Sequence, residues 1–347
     1  MTPRRDEGTP SAMPHAPTLE EVARRAGVSR STASRALNGG LKVSPVALAA
    51  VSQAVAELGY TPNRAARSLV TRRTDSIALV VPEPDETVLN DPYFVGTMQG
   101  ISAALEPTEI QLVLLIARRG EQAQRTARYL RNGHVDGAIV VSHHRDDALD
   151  EALAQSRLPC VFVGRPWSQT EPVPYVDVDN ARGGRVATEH LMGRGCRRIG
   201  TIAGPLDMAA GVDRLAGWRA ALRAAGLPDA AVERGDFTSV GGASAAERLL
   251  DAHPDLDGIF AASDLMAAGA LGVLARRGIS VPGQVRVVGF DDLGVAASTS
   301  PPLTTMRNPV AEMSRGAAEL LLAQLAGKGG PAAPTIFSAQ LVVRDST

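Results

Sequence analysis

From Ser76 onward, short apolar runs alternate with amphipathic stretches, and this alternation constrains the fold more than any other feature. SIALVVP, IQLVLLIA, DGAIVVS and PCVFVG are Val/Ile/Leu-rich runs of strand length, the pattern expected of buried parallel strands covered on both faces. Helical patterning falls between them, near Tyr93–Leu105, Glu121–Arg131 and Asp146–Ser156. A second set follows, with RIGTIAGP, DGIFAAS and VRVVGFDD as strands. Its helices lie near Ala181–Gly193, Met208–Ala225, Gly242–Ala252 and Asp264–Arg277. A βα repeat of this length makes two doubly wound halves, whose ligands bind in the crevice at the carboxyl ends of the strands. Asn308–Gly327 and the closing TIFSAQLVVRDST do not start a third domain and are expected to cross back and complete the two halves.

A different unit precedes the repeat. In Thr18–Asn38, TLEEVARRAGVSRSTASRALN, Thr18 is a good N-cap and Glu21 follows at the capping-box spacing. Leu19, Val22, Ala23 and Ala26 recur at i, i+3, i+4 and i+7 and share one helix face. Gly27 supplies the left-handed residue that ends the helix, Val28 packs into the turn, and Ser29 caps a second helix from Arg30 to Asn38. Two short helices joined by a tight glycine turn form a helix-turn-helix unit, whose second helix enters the DNA major groove. Here that helix turns Ala33, Ala36 and Leu37 inward and leaves a face of donors. The bland alternative is a polar, solvated helix in an ordinary bundle. Ser44-Pro45 opens a third helix, with Leu48, Val51, Val55 and Leu58 along its apolar side and Gly59 at its end, closing a three-helix headpiece. Beyond Tyr60-Thr61-Pro62 lies NRAARSLV, Asn63 to Val70, too short for a stable isolated helix. It is either a plain linker or a hinge that folds on meeting DNA and its twin.

Charge divides along the same boundary. The first 75 residues hold eleven Lys and Arg against six Asp and Glu; the remainder holds 25 against 31, within a net charge of −1. A basic front on an acidic body points to a polyanionic partner for the front alone. Cys160 and Cys196 lack metal-ligand spacing and are expected to be structural thiols of a reducing compartment. No cofactor or metal is expected, and no run reaches membrane-spanning length. Met1 to Pro17 is Pro-rich and polar without the apolar stretch of a secretory signal, so a disordered tail and a cytoplasmic location are expected.

Several motifs then fall into one order. TLEEVARRAGVSRSTASRALN, LGYTPNRAARSLV, AGPL at Ala203, RLAGW at Arg214, GFDD at Gly289 and PPLTT at Pro301 resemble those of the lactose/galactose repressor (LacI–GalR) family. The resemblance runs from about Thr18 to the closing LVVRDST. It implies an all-α helix-turn-helix headpiece and an α/β core of two doubly wound, periplasmic-binding-protein-like subdomains. The expected layout is a tail over 1–17, headpiece over 18–62, hinge helix and linker over 63–75, and core over 76–347. Within the core, an N-subdomain takes about 76–178 and 307–337, and a C-subdomain about 179–306 and 338–347. It further implies a sequence-specific transcriptional regulator, a repressor, that binds double-stranded pseudo-palindromic operator DNA as a homodimer. A small polar metabolite, a sugar or sugar derivative, closes the core and shifts the operator-competent population. The chain ends at Thr347 without the leucine heptad of the family's tetramers, so a dimer is expected.

The resemblance carries roles residue by residue. Arg30 and Ser31 match positions that set base preference, and Arg35 one that reads guanine, which Arg can grip bidentately. Ser29, Thr32, Ser34 and Asn38 are short donors suited to phosphate oxygens, and Thr18 and Tyr60 join the DNA-contacting set. In the hinge, Leu69 matches a minor-groove wedge, with Asn63 and Ala66 beside it; otherwise Leu69 is a core leucine of the hinge pair. Only twelve residues are aromatic. Phe94, after Asp91 and Tyr93, matches a cleft-lining position, and Phe237 an aromatic that stacks on a sugar ring. Arg214, Asp264 and Asp291 match effector-binding positions, a set suited to a hydroxyl-rich ring. Alternatively, Asp291-Asp292 caps the next segment and Arg214 pairs across the cleft. Ser263, where some sugar-responsive members carry Asn, and Val310, where some carry an aromatic, depart from the pattern and leave the sugar unnamed.

Two competing classes share the core pattern. A periplasmic-type ligand-binding protein would have a signal peptide and no headpiece. A dinucleotide-dependent enzyme needs a glycine-rich turn after a strand, whereas Gly193-Arg-Gly195 precedes one. No nucleophile elbow or HExxH is present, so no enzyme is expected, and His143-His144 is expected to be solvated on its loop.

Overall fold

The computed structural model describes residues 17–37, 43–61, 73–118, 121–145, 153, 158–167, 173–328 and 333–347. The expected tail to residue 16, Asn38, the hinge with Asn63, Ala66 and Leu69, and the expected helix Asp146–Ser156 apart from Leu153 lie outside the described residues. The chain divides into two compact units, Met1–Thr74 and Asp75–Thr347.

The first unit holds α1 (Leu19–Arg25), α2 (Arg30–Leu37) and α3 (Pro45–Leu58). Thr18 closes a complete capping box: its hydroxyl accepts the Glu21 N–H at 3.3 Å, and the Glu21 carboxylate accepts the Thr18 N–H at 2.7 Å. Val22, Ala23, Ala33, Val51 and Ala54 form the buried centre, ringed by Leu19, Val28, Ala36, Leu37, Val55, Leu58 and Tyr60. Leu48 differs from expectation, being 48% exposed. The helices packed on α3 are seven and eight residues long against its fourteen. At 1.5 Å per residue they cover only part of it, and its first turn, with Val46 and Leu48, stays outside.

The second unit contains two six-stranded sheets. One joins β1 (Ser76–Val81), β2 (Gln111–Ile116), β3 (Gly137–Val141), β4 (Cys160–Val163), β5 (Tyr175–Val178) and β11 (Thr335–Phe337), ordered β11-β5-β4-β3-β1-β2 and parallel throughout. The other joins β6 (Ile199–Ala203), β7 (Val232–Arg234), β8 (Gly258–Ala261), β9 (Arg286–Asp291), β10 (Thr304–Arg307) and β12 (Gln340–Val342), ordered β12-β10-β9-β8-β6-β7. Only β12 runs antiparallel to its neighbour. The two sheets repeat one doubly wound strand order, with its switch point beside the first strand of each.

Around the sheets lie α4 (Asp85–Asn90), α5 (Pro92–Leu105), α6 (Glu121–Arg131), α7 (Asn180–Gly193), α8 (Ala209–Ala224), α9 (Ser239–Ala252), α10 (Asp264–Arg276), α11 (Val295–Ser298) and α12 (Val310–Leu325). The last follows β10 of the second sheet yet packs on α5 and on β3, β4 and β5 of the first. The chain therefore crosses between lobes after β5, after β10 and between β11 and β12. IQLVLLIA, expected as a buried strand, is the half-exposed edge strand β2, because β1 covers only one of its sides. β5, β7, β10 and α4 escape the sequence pattern: each is short, and YVDV and VER carry charge within the run. Helices α7 and α8 touch backbone to backbone. A Cβ on Gly217 would lie 2.0 Å from the Ala181 carbonyl, and one on Gly184 2.3 Å from that of Arg214, so both positions demand glycine. Among the described residues no helix is long and apolar enough to cross a membrane.

Candidate functional site

On the headpiece, α2 exposes Arg30, Ser31 and Arg35, while Thr32 and Ser34 are half-buried. Ser29 accepts the Thr32 N–H at 3.1 Å, and its hydroxyl lies 2.9 and 2.8 Å from those of Ser31 and Thr32. Arg35 Nε donates to the Ser31 carbonyl at 3.1 Å. Arg30 pairs with Glu20 at 2.6 Å, with both side chains largely exposed. Exposed pairs of this kind are worth about 0–1 kcal/mol, so a phosphate or a guanine edge can displace the carboxylate at small cost. Thr18 is committed to its cap, and Tyr60 is half-buried against the headpiece centre.

In the second unit the strand ends converge on a cavity of about 320 Å³, within the size range of small-molecule sites. The first lobe contributes Glu83 after β1, Ser142 to His144 after β3, Arg165 after β4, and Asp177 in β5. The second contributes Ser263 and Asp264 after β8, Asp291 at the end of β9, and Arg214 on α8. Asp91, Tyr93, Phe94 and Phe237 also belong to the lining, which takes in all eight residues expected in the cleft.

Arg214 organises the second wall. The close packing of α7 on α8 brings its Nε within 2.8 Å of Asn180 Oδ1; Nη1 donates to the Ala262 carbonyl at 2.6 Å, and Nη2 reaches Asp291 at 3.5 Å. Its guanidinium lies over the Phe290 ring at 3.7 Å. These partners all belong to its own lobe, so Arg214 does not pair across the cleft. Asp291 and Asp292 both take left-handed φ values, 120° and 54°, a conformation that costs free energy and persists only where the surroundings impose it. They do: Asn308 donates to Asp291 at 3.1 Å, while Arg307 and Arg344 hold Asp292 at 2.9 and 2.6 Å. Neither carboxylate caps α11, whose N-cap Gly294 makes no side-chain bond. Phe237 is also left-handed (φ 65°), and its ring rests where a Cβ on Gly204 would stand 2.3 Å away.

The cavity is acidic, and its carboxyls are deeply buried. Burial raises the Asp91 carboxyl to about 6, against the Tyr93 N–H bond and with help from Asp291 and Glu83. Burial likewise raises Asp177 to about 6 and Asp264 to about 8, although Thr305 and the Asp292 N–H donate to Asp264 at 2.5 and 2.6 Å. Asp291 and Tyr93 are raised chiefly by burial. Ser263 caps α10 through the Met266 N–H at 3.2 Å. The arrangement can hold a polar ring between an aromatic face and a rim of acceptors, with Arg214 as a fixed donor.

His143-His144 is not solvated. His143 is 6% exposed and edge-on to Phe162, while His144 is wedged between Glu83 and Asp207. Both follow a strand end that buries them in the crevice rather than on an outer loop. Glu83, Ser142 and Arg165 escaped the sequence reading, and His144 was read there as solvated. Their common signal is position: each is a polar residue just past an apolar strand run, in VVPEPD, VVSHHRD and FVGRPW, where ligands of doubly wound folds sit. Among the described residues no three His, Cys, Asp or Glu gather as a metal-holding group.

Comparison with known proteins adds to this geometry. Residues 18–63 match the family described as bacterial regulatory proteins, lacI family, and residues 188–347 match a periplasmic binding protein-like domain. The HTH-type transcriptional regulator CelR of Thermobifida fusca is 47% identical over 333 residues, covering 95% of this chain and 98% of the relative. A solved CelR–cellobiose complex superposes with a TM-score of 0.77 at 45% identity, over 95% of this chain and all of that one. The lac repressor dimer bound to operator and the anti-inducer ONPF superposes with a TM-score of 0.84 at 26% identity, over 96% and 99% of the two chains.

Proposed function

This chain belongs to the lacI family of bacterial regulatory proteins, and from that premise we propose that it represses transcription as a homodimer whose grip on a pseudo-palindromic operator is set by a sugar. The headpiece occupies 18–62, a hinge helix and linker 63–75 and the core 76–347. The N-subdomain takes about 76–178 and 307–337 and the C-subdomain about 179–306 and 338–347. Arg30, Ser31 and Arg35 read base edges, and Ser29, Thr32, Ser34 and Asn38, with Thr18 and Tyr60, fix the register on the backbone. Leu69 wedges the minor groove, flanked by Asn63 and Ala66. The effector lies among Asp91, Tyr93, Phe94, Arg214, Phe237, Ser263, Asp264 and Asp291, and it is bound without being turned over. A DNA-binding repressor of this kind works in the cytoplasm.

The observation that carries the effector class is the cavity itself. It sets the fixed guanidinium of Arg214 among carboxylates and beside Phe237, a surface for a neutral hydroxyl-rich ring, in a chain 45% identical to a regulator solved with cellobiose. Cellobiose is therefore the first ligand to test. Genome-wide footprinting of the bound sites, followed by titration of one such duplex with cellobiose, is the direct experiment. The expected result is a set of two-fold symmetric sites whose occupancy changes with the sugar. A purified protein with no duplex preference, with or without sugar, overturns the proposal.

A further inference from the structure

Beside the cavity the two lobes grip each other directly. Asp207, in the turn between β6 and α8 of the second lobe, takes three links from the first. His144 Nδ1 lies 2.9 Å from Asp207 Oδ2, and the Asp207 carbonyl accepts from Trp167 Nε1 at 2.6 Å and from the Arg145 N–H at 2.8 Å. Arg165 adds an ion pair with Asp213 of α8, its Nη2 lying 2.9 Å from each carboxylate oxygen. The other ring nitrogen of His144, Nε2, lies 3.0 Å from Glu83 Oε1, and the Ser142 hydroxyl donates to that same oxygen at 2.6 Å. Ser142 is left-handed (φ 55°), a conformation uncommon for a residue with a Cβ, and it aims His144 at both carboxylates.

An ionised carboxylate only accepts. A neutral imidazole donates from one nitrogen and turns a lone pair to the other partner, whereas an imidazolium donates from both. The geometry at His144, with a carboxylate on each side, thus calls for the charged form, and these are charge-assisted bonds. Burial alone would lower its pKa; the hydrogen bonds and charges of Glu83 and Asp207 outweigh burial and raise it above 6.5. The other charges nearby are already engaged. Arg145 is stacked on Trp167 at 4.2 Å and Arg165 is neutralised by Asp213. Asp91 and Asp177 are further cavity carboxylates that titrate near neutrality.

We propose that His144 is a positioning residue for effector binding, which as an imidazolium ties Glu83 of one lobe to Asp207 of the other, so that the closed cleft holds a proton the open cleft sheds. The effect on ligand rests on the cleft being the effector site; the latch between the lobes does not. Its contribution is complete at acidic pH and is lost as pH rises through the raised value of the closed state.

Thermal unfolding of the full-length protein and of His144→Gln, without ligand, from pH 5.5 to 9 tests the latch. The gap in melting temperature between the two is expected to be widest at the acid end and to close toward pH 9. The cavity carboxylates titrate in both proteins and cancel in the gap. A gap that does not change with pH means a merely structural histidine and overturns the proposal. If His144→Gln does not fold, Asp207→Asn keeps the shape, removes one charge, and should flatten the same pH dependence; an unchanged profile there overturns it equally. Titration with cellobiose adds the functional arm. Wild-type affinity should fall with rising pH, relative to the variant, by at most about tenfold per pH unit. Equal slopes refute the coupling to ligand, while absence of binding at every pH refutes the sugar assignment and leaves the ligand-free gap to decide the latch.

Discussion

Two arginines show how differently the two units hold their functional groups. Arg30 on the recognition helix is largely exposed and has one ion pair, with Glu20. Arg214 is 5% exposed, hydrogen-bonded to Asn180 and Ala262, in reach of Asp291, and stacked on Phe290. The headpiece leaves the donors of α2 loosely engaged, as the proposed exchange of their partners for a base edge or phosphate requires. The cleft builds its donor in advance, at the expense of buried charge that only tight pairing compensates. The difference teaches where each function is vulnerable: the exposed Arg30 and Arg35 of the proposed recognition face can change without harming the fold, and the buried Arg214 cannot.

The sharpest test of that contrast is Arg214→Ala. It leaves Asp291 buried without its cation, and breaking such a pair is expected to destabilise the core by about 3–5 kcal/mol, read by denaturant unfolding, with sugar binding lost. A variant as stable as wild type would erase the distinction. Arg35→Ala should do the opposite, leaving unfolding within about 0.5 kcal/mol of wild type. Operator discrimination should fall by about 1–3 kcal/mol, measured by fluorescence anisotropy at fixed salt, with weak salt-sensitive binding retained. Retained sequence preference would move base reading off this residue.

Acidity sharpens the same comparison at smaller scale. The folded pKa of Asp91, about 6, lies above its ordinary 3.8. The protonated acid therefore favours the folded core below 3.8, and that contribution is lost as pH rises through 6. Asp91→Asn should remove up to about 3 kcal/mol of this decline, at about 1.4 kcal/mol per pKa unit, seen as a flatter melting-temperature profile between pH 4 and 7. The smallest effect is expected at Arg30→Ala, where an exposed pair is lost: less than about 1 kcal/mol of headpiece stability, by thermal unfolding of the full chain.

Some of this site was legible early because its signals are local. The capping box at Thr18 and Glu21, the glycine turn and the donor face of α2 are each contained within a few residues. Arg214 and Asp291 could be named from RLAGW and GFDD because the order of motifs resembles a known family. The second strand, β2, was placed in the wrong environment for a matching reason: an apolar run does not say whether a neighbour lies on one side or two. His144 reads as solvated from the sequence because its partners, Glu83 and Asp207, lie far away in the chain.

The periodicity of apolar residues, with its caps and glycine stops, determined by itself that this chain would make a helical headpiece and two βα halves, since backbone geometry converts spacing into helix and strand without distant help. Partnership was decided only in three dimensions. His144 meets Glu83 and Asp207 across 61 and 63 residues of sequence, and Arg214 meets Asp291 across 77. Such pairs exist because strand ends from both lobes converge on one crevice, where burial weakens the competition from water and fixes which charges can face one another.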